Sequence, residues 1–280
     1  MSSTPSLNSM LFNLAGGVVL LTAAGYMVTS YFLTPAVEPC VSRFPSGVQM
    51  TFDGANGKPM TPVELQARSG SREWGLLKNA KVVTGAGAPA GGALEVSLAS
   101  TDDEENTSQN GVGFTWQLPE LTKASSACLS YSAYLPSGFA FKEHGLLPGL
   151  FGASDITQID EVKPEDSFAT RMGWAESGDL GVDVRIPAST GYWEVPRRKL
   201  IWPTGRWVAV QQEIKLNTPG QGDGALRVWI DGSLMVDSRE LTLRKSQQSV
   251  LSGVVSDIGY ARTLSDVAAV RVSPFTIQWQ

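Results

Sequence analysis

Trp207-Val208-Ala209-Val210-Gln211-Gln212-Glu213-Ile214-Lys215-Leu216 sets Val208, Val210, Ile214 and Leu216 on one side of an extended chain. Ala225-Leu226-Arg227-Val228-Trp229-Ile230 repeats the pattern with Leu226, Val228 and Ile230. The intervening Asn217-Thr218-Pro219-Gly220-Gln221-Gly222-Asp223-Gly224 is a turn-rich loop, and Asp231-Gly232 opens the next tight turn. Side chains that alternate between two faces on either side of a turn describe antiparallel strands. Upstream, Ala93-Leu94-Glu95-Val96-Ser97-Leu98 alternates in the same way, and Thr101 to Asn110 carries no apolar residue, as an exposed loop should. No long helical period follows residue 75, and no internal repeat is present. The reading is an all-β antiparallel sandwich or barrel.

Composition narrows the chemistry. The chain has 280 residues with 27 Asp and Glu against 22 Lys and Arg, a net charge of −5. The resulting pI near 5.0 argues against a nucleic-acid partner. One histidine, His144, excludes poly-His metal centres, and two cysteines, Cys40 and Cys128, exclude four-cysteine zinc sites and iron–sulfur clusters. No metal or other cofactor is expected. A GxSxG elbow is absent, and Gly85-Ala86-Gly87-Ala88-Pro89-Ala90-Gly91-Gly92 lacks the Lys-Ser/Thr ending of a phosphate loop.

From Met10 to Leu33 there is no Asp, Glu, Lys or Arg. As a helix this run would extend roughly 36 Å at about 1.5 Å per residue, against a hydrocarbon core of about 30 Å. The expectation is a single N-terminal transmembrane helix over residues 1–33, with a cleaved signal sequence as the competing reading. It implies a membrane-anchored protein with its domain on the periplasmic or extracellular side. Residues 34–74, with Pro35, Pro39, Pro45, Pro59 and Pro62, read as a stalk and edge segment, and residues 75–280 as the domain. Cys40 and Cys128 either form one disulfide in an oxidising compartment, or Cys128 is a small buried hydrophobe in Ala127-Cys128-Leu129.

Against the acidic background, residues 185 to 206 hold Arg185, Arg197, Arg198, Lys199 and Arg206, with Trp174, Tyr192, Trp193, Trp202 and Trp207 in or beside the same region. Alternation sets Val182, Val184 and Ile186 opposite Asp183 and Arg185, and sets Phe168, Met172 and Trp174 opposite Arg171. Arginines on the face away from the core suit an anionic ligand, because guanidinium binds carboxylates in a bidentate way. Tryptophans beside them suit flat sugar faces.

These residues carry a resemblance. Tyr131-Ser132-Ala133-Tyr134-Leu135-Pro136-Ser137-Gly138-Phe139 leads into Gly145-Leu146-Leu147-Pro148-Gly149-Leu150-Phe151-Gly152. Then come Phe168-Ala169-Thr170-Arg171-Met172-Gly173-Trp174, Gly205-Arg206-Trp207 and the run to Gly232. In this order and spacing the chain resembles polysaccharide lyase family 14, the alginate and glucuronan lyases, over roughly residues 75–280. The resemblance implies a concanavalin A-like jelly roll whose concave sheet holds an anionic polysaccharide. It also implies metal-free β-elimination at a uronic acid: a basic side chain neutralises the carboxylate, a Lys, His or Tyr takes the adjacent proton, and a Tyr protonates the leaving oxygen.

Carried over, Arg171 matches the arginine of the family's Arg-x-x-Trp strand and is the carboxylate neutraliser. Two departures follow. The family's Gly-Gly-Lys-Leu-Pro-Gly reads His144-Gly145-Leu146-Leu147-Pro148-Gly149, so Leu146 replaces the functional lysine, and Lys142 or His144 is the substitute base. The next strand, where the family places tyrosines, reads Val182-Asp183-Val184-Arg185, leaving Tyr192 as the acid. Arg185, Arg197, Trp174 and Trp193 are the expected substrate contacts. Three functions fit: a membrane-tethered uronan lyase, a carbohydrate-binding jelly roll that has lost its base, or a structural subunit of an envelope complex.

Overall fold

A computed structural model describes residues 19–22, 37–54, 57–69, 73–85, 87–98, 111–154, 167–187, 189–196, 198–260 and 268–280. The strands are β1 (Ser46–Met50), β2 (Glu73–Trp74), β3 (Ala80–Thr84), β4 (Gly92–Ser97), β5 (Val112–Gln117), β6 (Ser126–Tyr134), β7 (Gly145–Ala153) and β8 (Ser167–Trp174). They continue with β9 (Leu180–Ile186), β10 (Ser189–Glu194), β11 (Trp207–Lys215), β12 (Gly224–Ile230), β13 (Ser233–Leu241), β14 (Val250–Tyr260), β15 (Ala269–Val272) and β16 (Phe275–Trp279).

Two antiparallel sheets form a sandwich. The first runs β13-β12-β11-β6-β15-β4-β3, with β16 pairing β6 and β1 pairing β16; the second runs β10-β9-β8-β7-β14-β5-β2. Leu129, Val210 and Val228 of the first sheet and Leu150, Met172 and Val182 of the second are buried in one core. The all-β reading therefore stands, and the β11–β12 hairpin has the expected register, with Val210 opposite Ile230 and Ile214 opposite Leu226.

The compact body runs from Pro39 to Gln280, separate from a unit ending at Glu38. The part of the 34–74 segment from Pro39 on thus lies within the body. Met50, Phe52, Met60 and Leu65 enter the core. Cys40 and Cys128 are disulfide-bonded, which fastens the Cys40–Ser42 turn to β6. Beside the bond, Arg43 pairs with Glu213 of β11 and lies over the Trp229 ring at 5.9 Å.

The expectation of a membrane-anchored protein is corrected. Among the described residues no helix is long and apolar enough to cross a membrane. Within the apolar run, the described residues are 19–22, and they are helical. The rest of the run lies outside the described residues.

Candidate carbohydrate-binding face

The side chains of β8 and β9 alternate as the sequence requires. Met172, Trp174, Val182 and Val184 point into the core, so Arg171, Asp183 and Arg185 project from the outer face of the second sheet. There Arg171 is the centre of an ion row. Its Nε lies 2.8 Å from Asp257 of β14, and its Nη1 lies 3.4 Å from Asp183 of β9. Asp183 in turn takes Arg185, 3.3 Å from that guanidinium. Two cations and two carboxylates leave this row with no net charge. Arg171 is only 6% exposed, whereas the Arg185 side chain is 60% exposed. Arg185 is therefore the member of the row that solvent, or a ligand, reaches first.

The strand between Arg171 and Asp257 is β7, and its shape matters. The register of β7 against β8 shifts between Leu146 and Gly149, a bulge containing Leu147 and Pro148. Two side chains from the first sheet cross the core to hold it: Tyr131 Oη donates to the Pro148 carbonyl at 3.0 Å, and the Leu150 amide donates to Gln212 Oε1 at 3.0 Å. Burial pushes the Tyr131 phenol well up, so it stays a donor. Gly149 beyond the bulge carries no side chain, and a Cβ there would collide with the Thr170 carbonyl and the Arg171 backbone.

At the start of β7, His144 stands just before the strand, with its ring 4.3 Å from that of Trp193, edge to face. Half-burial lowers the imidazole pKa below its ordinary value, while Asp183 and Glu176 pull it partly back. The shift favours the neutral imidazole, and His144 lies within the electrostatic reach of Asp183 in the ion row. Trp193 lies over Gly181 and against Gly173, where any Cβ would meet its indole.

The outer face therefore brings together His144, Arg171, Arg185 and Trp193. The other expected contacts lie elsewhere. Tyr192 pairs with Val184 and packs against the core, on the side opposite Trp193; burial first, then Glu194, raises its pKa. Trp174 is fully buried, edge-on to Phe139 and Tyr260, with its indole N–H donated to the Glu143 carbonyl. Lys142 is exposed in the loop before β7. Arg197 lies outside the described residues. Leu146 is half-buried opposite Gly173, at the position where the resemblance implies a lysine.

Sequence reasoning passed over Asp257 as a site residue. Its signal was a lone carboxylate within the otherwise uncharged Val254-Val255-Ser256-Asp257-Ile258. It also placed Trp74 at the end of the stalk, although the indole lies over Gly113 of β5 on this same outer face.

Stacked antiparallel sheets with a polar, aromatic outer face define the class, a jelly-roll sandwich. The family model for polysaccharide lyase 14 matches residues 89–260, and the chain belongs to that family. Among solved structures it is similar to the marine PL-14 alginate lyase from Aplysia kurodai, with 16% identity, 85% of this chain and 99% of that chain covered, and a TM-score of 0.67. An alginate lyase in complex with alginate trisaccharide matches at 13% identity over 85% and 99% of the two chains, with a TM-score of 0.64. An endo-β-1,4-glucuronan lyase from the fungus Trichoderma reesei matches at 11% identity over 85% and 96%, with a TM-score of 0.53. At these identities the likeness carries the fold. No curated protein matches by sequence.

Proposed function

We propose that this chain binds an anionic, uronic-acid-containing polysaccharide on the outer face of the second sheet, and that the face serves recognition rather than β-elimination. The observation that carries the reading is the Arg171 guanidinium held between Asp183 and Asp257. Abstracting the proton next to a uronate carboxylate requires that carboxylate's charge to be neutralised. A cation already paired with two carboxylates has little left to offer a third.

The remaining substitutions support the same reading. Leu146 cannot take a proton, Asp183 and Arg185 occupy the strand where the resemblance implies tyrosines, and Tyr192 faces the core. What the face retains is what binding needs. Arg185 is an accessible guanidinium for a uronate, and Trp193 is an indole platform for a pyranose ring.

A second reading, elimination with His144 as the base, is favoured by one observation: its ring stands against Trp193 on this face, where burial lowers the imidazole pKa. Affinity electrophoresis in alginate and glucuronan gels, run beside an ultraviolet assay for unsaturated uronate, tests both. Retarded migration that Arg185→Ala abolishes, without unsaturated product, supports recognition. Product that His144→Ala removes supports elimination. No retardation in any uronan overturns the binding proposal.

A further inference from the structure

The ion row belongs to a longer alignment. In the second sheet Trp74 pairs with Gly113, and Gly113 with Asp257. Beyond the β7 bulge, Arg171 pairs with Asp183, and Asp183 with Trp193. Arg171 and Asp257 close the gap between the two halves with their ion pair. Two half-rungs, offset by two residues at the β7 bulge and joined by this ion pair, therefore form one broken rung across the sheet, with an indole at each end and alternating charges between.

The two indoles lean inward over glycines. Trp74 covers Gly113 of β5, and Trp193 covers Gly181 of β9 and touches Gly173 of β8; both tryptophans are partly exposed. A side chain at any of these glycines would lift the ring off the sheet. From β5 to β8 or β9 is three or four strand spacings, so the platforms stand roughly 14–19 Å apart at about 4.8 Å per strand, room for about three or four pyranose units of an extended chain.

We infer that Trp74 is a second sugar platform, and that a bound polysaccharide runs across the strands along this rung from Trp193 to Trp74. The inference rests on the binding proposed above and adds its direction and length. A short oligomer is held by Arg185 and Trp193; only a longer one reaches Trp74. Indole stacking on the apolar face of a pyranose tolerates different sugars, so Trp74 adds length dependence rather than selectivity for one uronate.

Calorimetric titration with uronan disaccharides and hexasaccharides tests this. Trp74→Ala is expected to weaken hexasaccharide binding about tenfold while leaving disaccharide binding unchanged. Trp74→Phe keeps a ring and restores most of the difference. Gly113→Ala moves the platform without deleting it and gives the same length-dependent loss as Trp74→Ala. Thermal melts of each variant report folding separately. Equal affinities of wild type and Trp74→Ala for the hexasaccharide would overturn the inference, as would an equal loss for both lengths. A wild type whose two oligomers bind alike and weaken only with Arg185→Ala keeps the binding proposal and removes Trp74 from it. A wild type that binds neither oligomer overturns both.

Discussion

Arg171 and Asp257 are joined across an intervening strand. Arg171 Nε on β8 lies 2.8 Å from the carboxylate on β14, with β7 between them. The pair fixes two strands that share no backbone hydrogen bonds, and Asp183 extends it to β9. Removing the guanidinium leaves two largely buried carboxylates facing each other. Arg171→Met is therefore expected to cost about 3 kcal/mol in urea unfolding. Adding Asp257→Asn should recover part of that loss, giving a coupling energy of about 1–2 kcal/mol in a double-mutant cycle. Additive losses would contradict the pairing.

Gly149 makes that reach possible, because its missing Cβ lets β8 approach at Arg171. Gly149→Ala is expected to cost about 1–3 kcal/mol through overpacking. It should also weaken uronan binding, since the strand that would shift carries the ion row. Unchanged stability in urea unfolding would show that the bulge absorbs a methyl group.

His144 supplies a pH dependence with a definite sign. Its folded-state pKa lies below the ordinary 6.5, so the unfolded chain binds this proton more tightly. Stability is unaffected by this group well above pH 6.5 and falls as pH drops through 6.5 toward the lowered folded value. His144→Gln should flatten that part of a stability–pH profile measured by urea unfolding. A wild-type slope that persists unchanged in the variant would assign it to other groups.

The Cys40–Cys128 bond closes a separation of 88 residues. The chain-entropy model gives such a loop about 4.6 kcal/mol. Reduction, or Cys40→Ser with Cys128→Ser, is expected to lower Tm by several degrees in calorimetry. It should leave uronan binding intact, because the bond fastens the first sheet and the ion row lies on the second. Loss of binding in a variant that still melts cooperatively would contradict this separation.

The strands were legible because period-two alternation survives in β8, β9, β11 and β12, and because turn residues mark their ends. Alternation also said that Tyr192 and Trp193 point opposite ways. It did not say which of them faces the core, since only the pairing of Tyr192 with Val184 and Trp193 with Asp183 decides that. The family motif located Arg171 but not its partners, because Asp257 lies 86 positions further along and meets it through sheet order. Trp74 was hidden for a similar reason. A two-residue edge strand among turn-forming residues has no period to read, and its place on the outer face comes from pairing with β5.

The central claim is that this face recognises a uronan without cleaving it. It is tested most directly by mixing the full chain with alginate and glucuronan and following binding and unsaturated-uronate absorbance in the same samples. The account predicts saturable binding, abolished by Arg185→Ala, with no rise in absorbance over prolonged incubation. A rise that scales with protein concentration and disappears in His144→Ala would contradict it and make the chain a lyase with a histidine base.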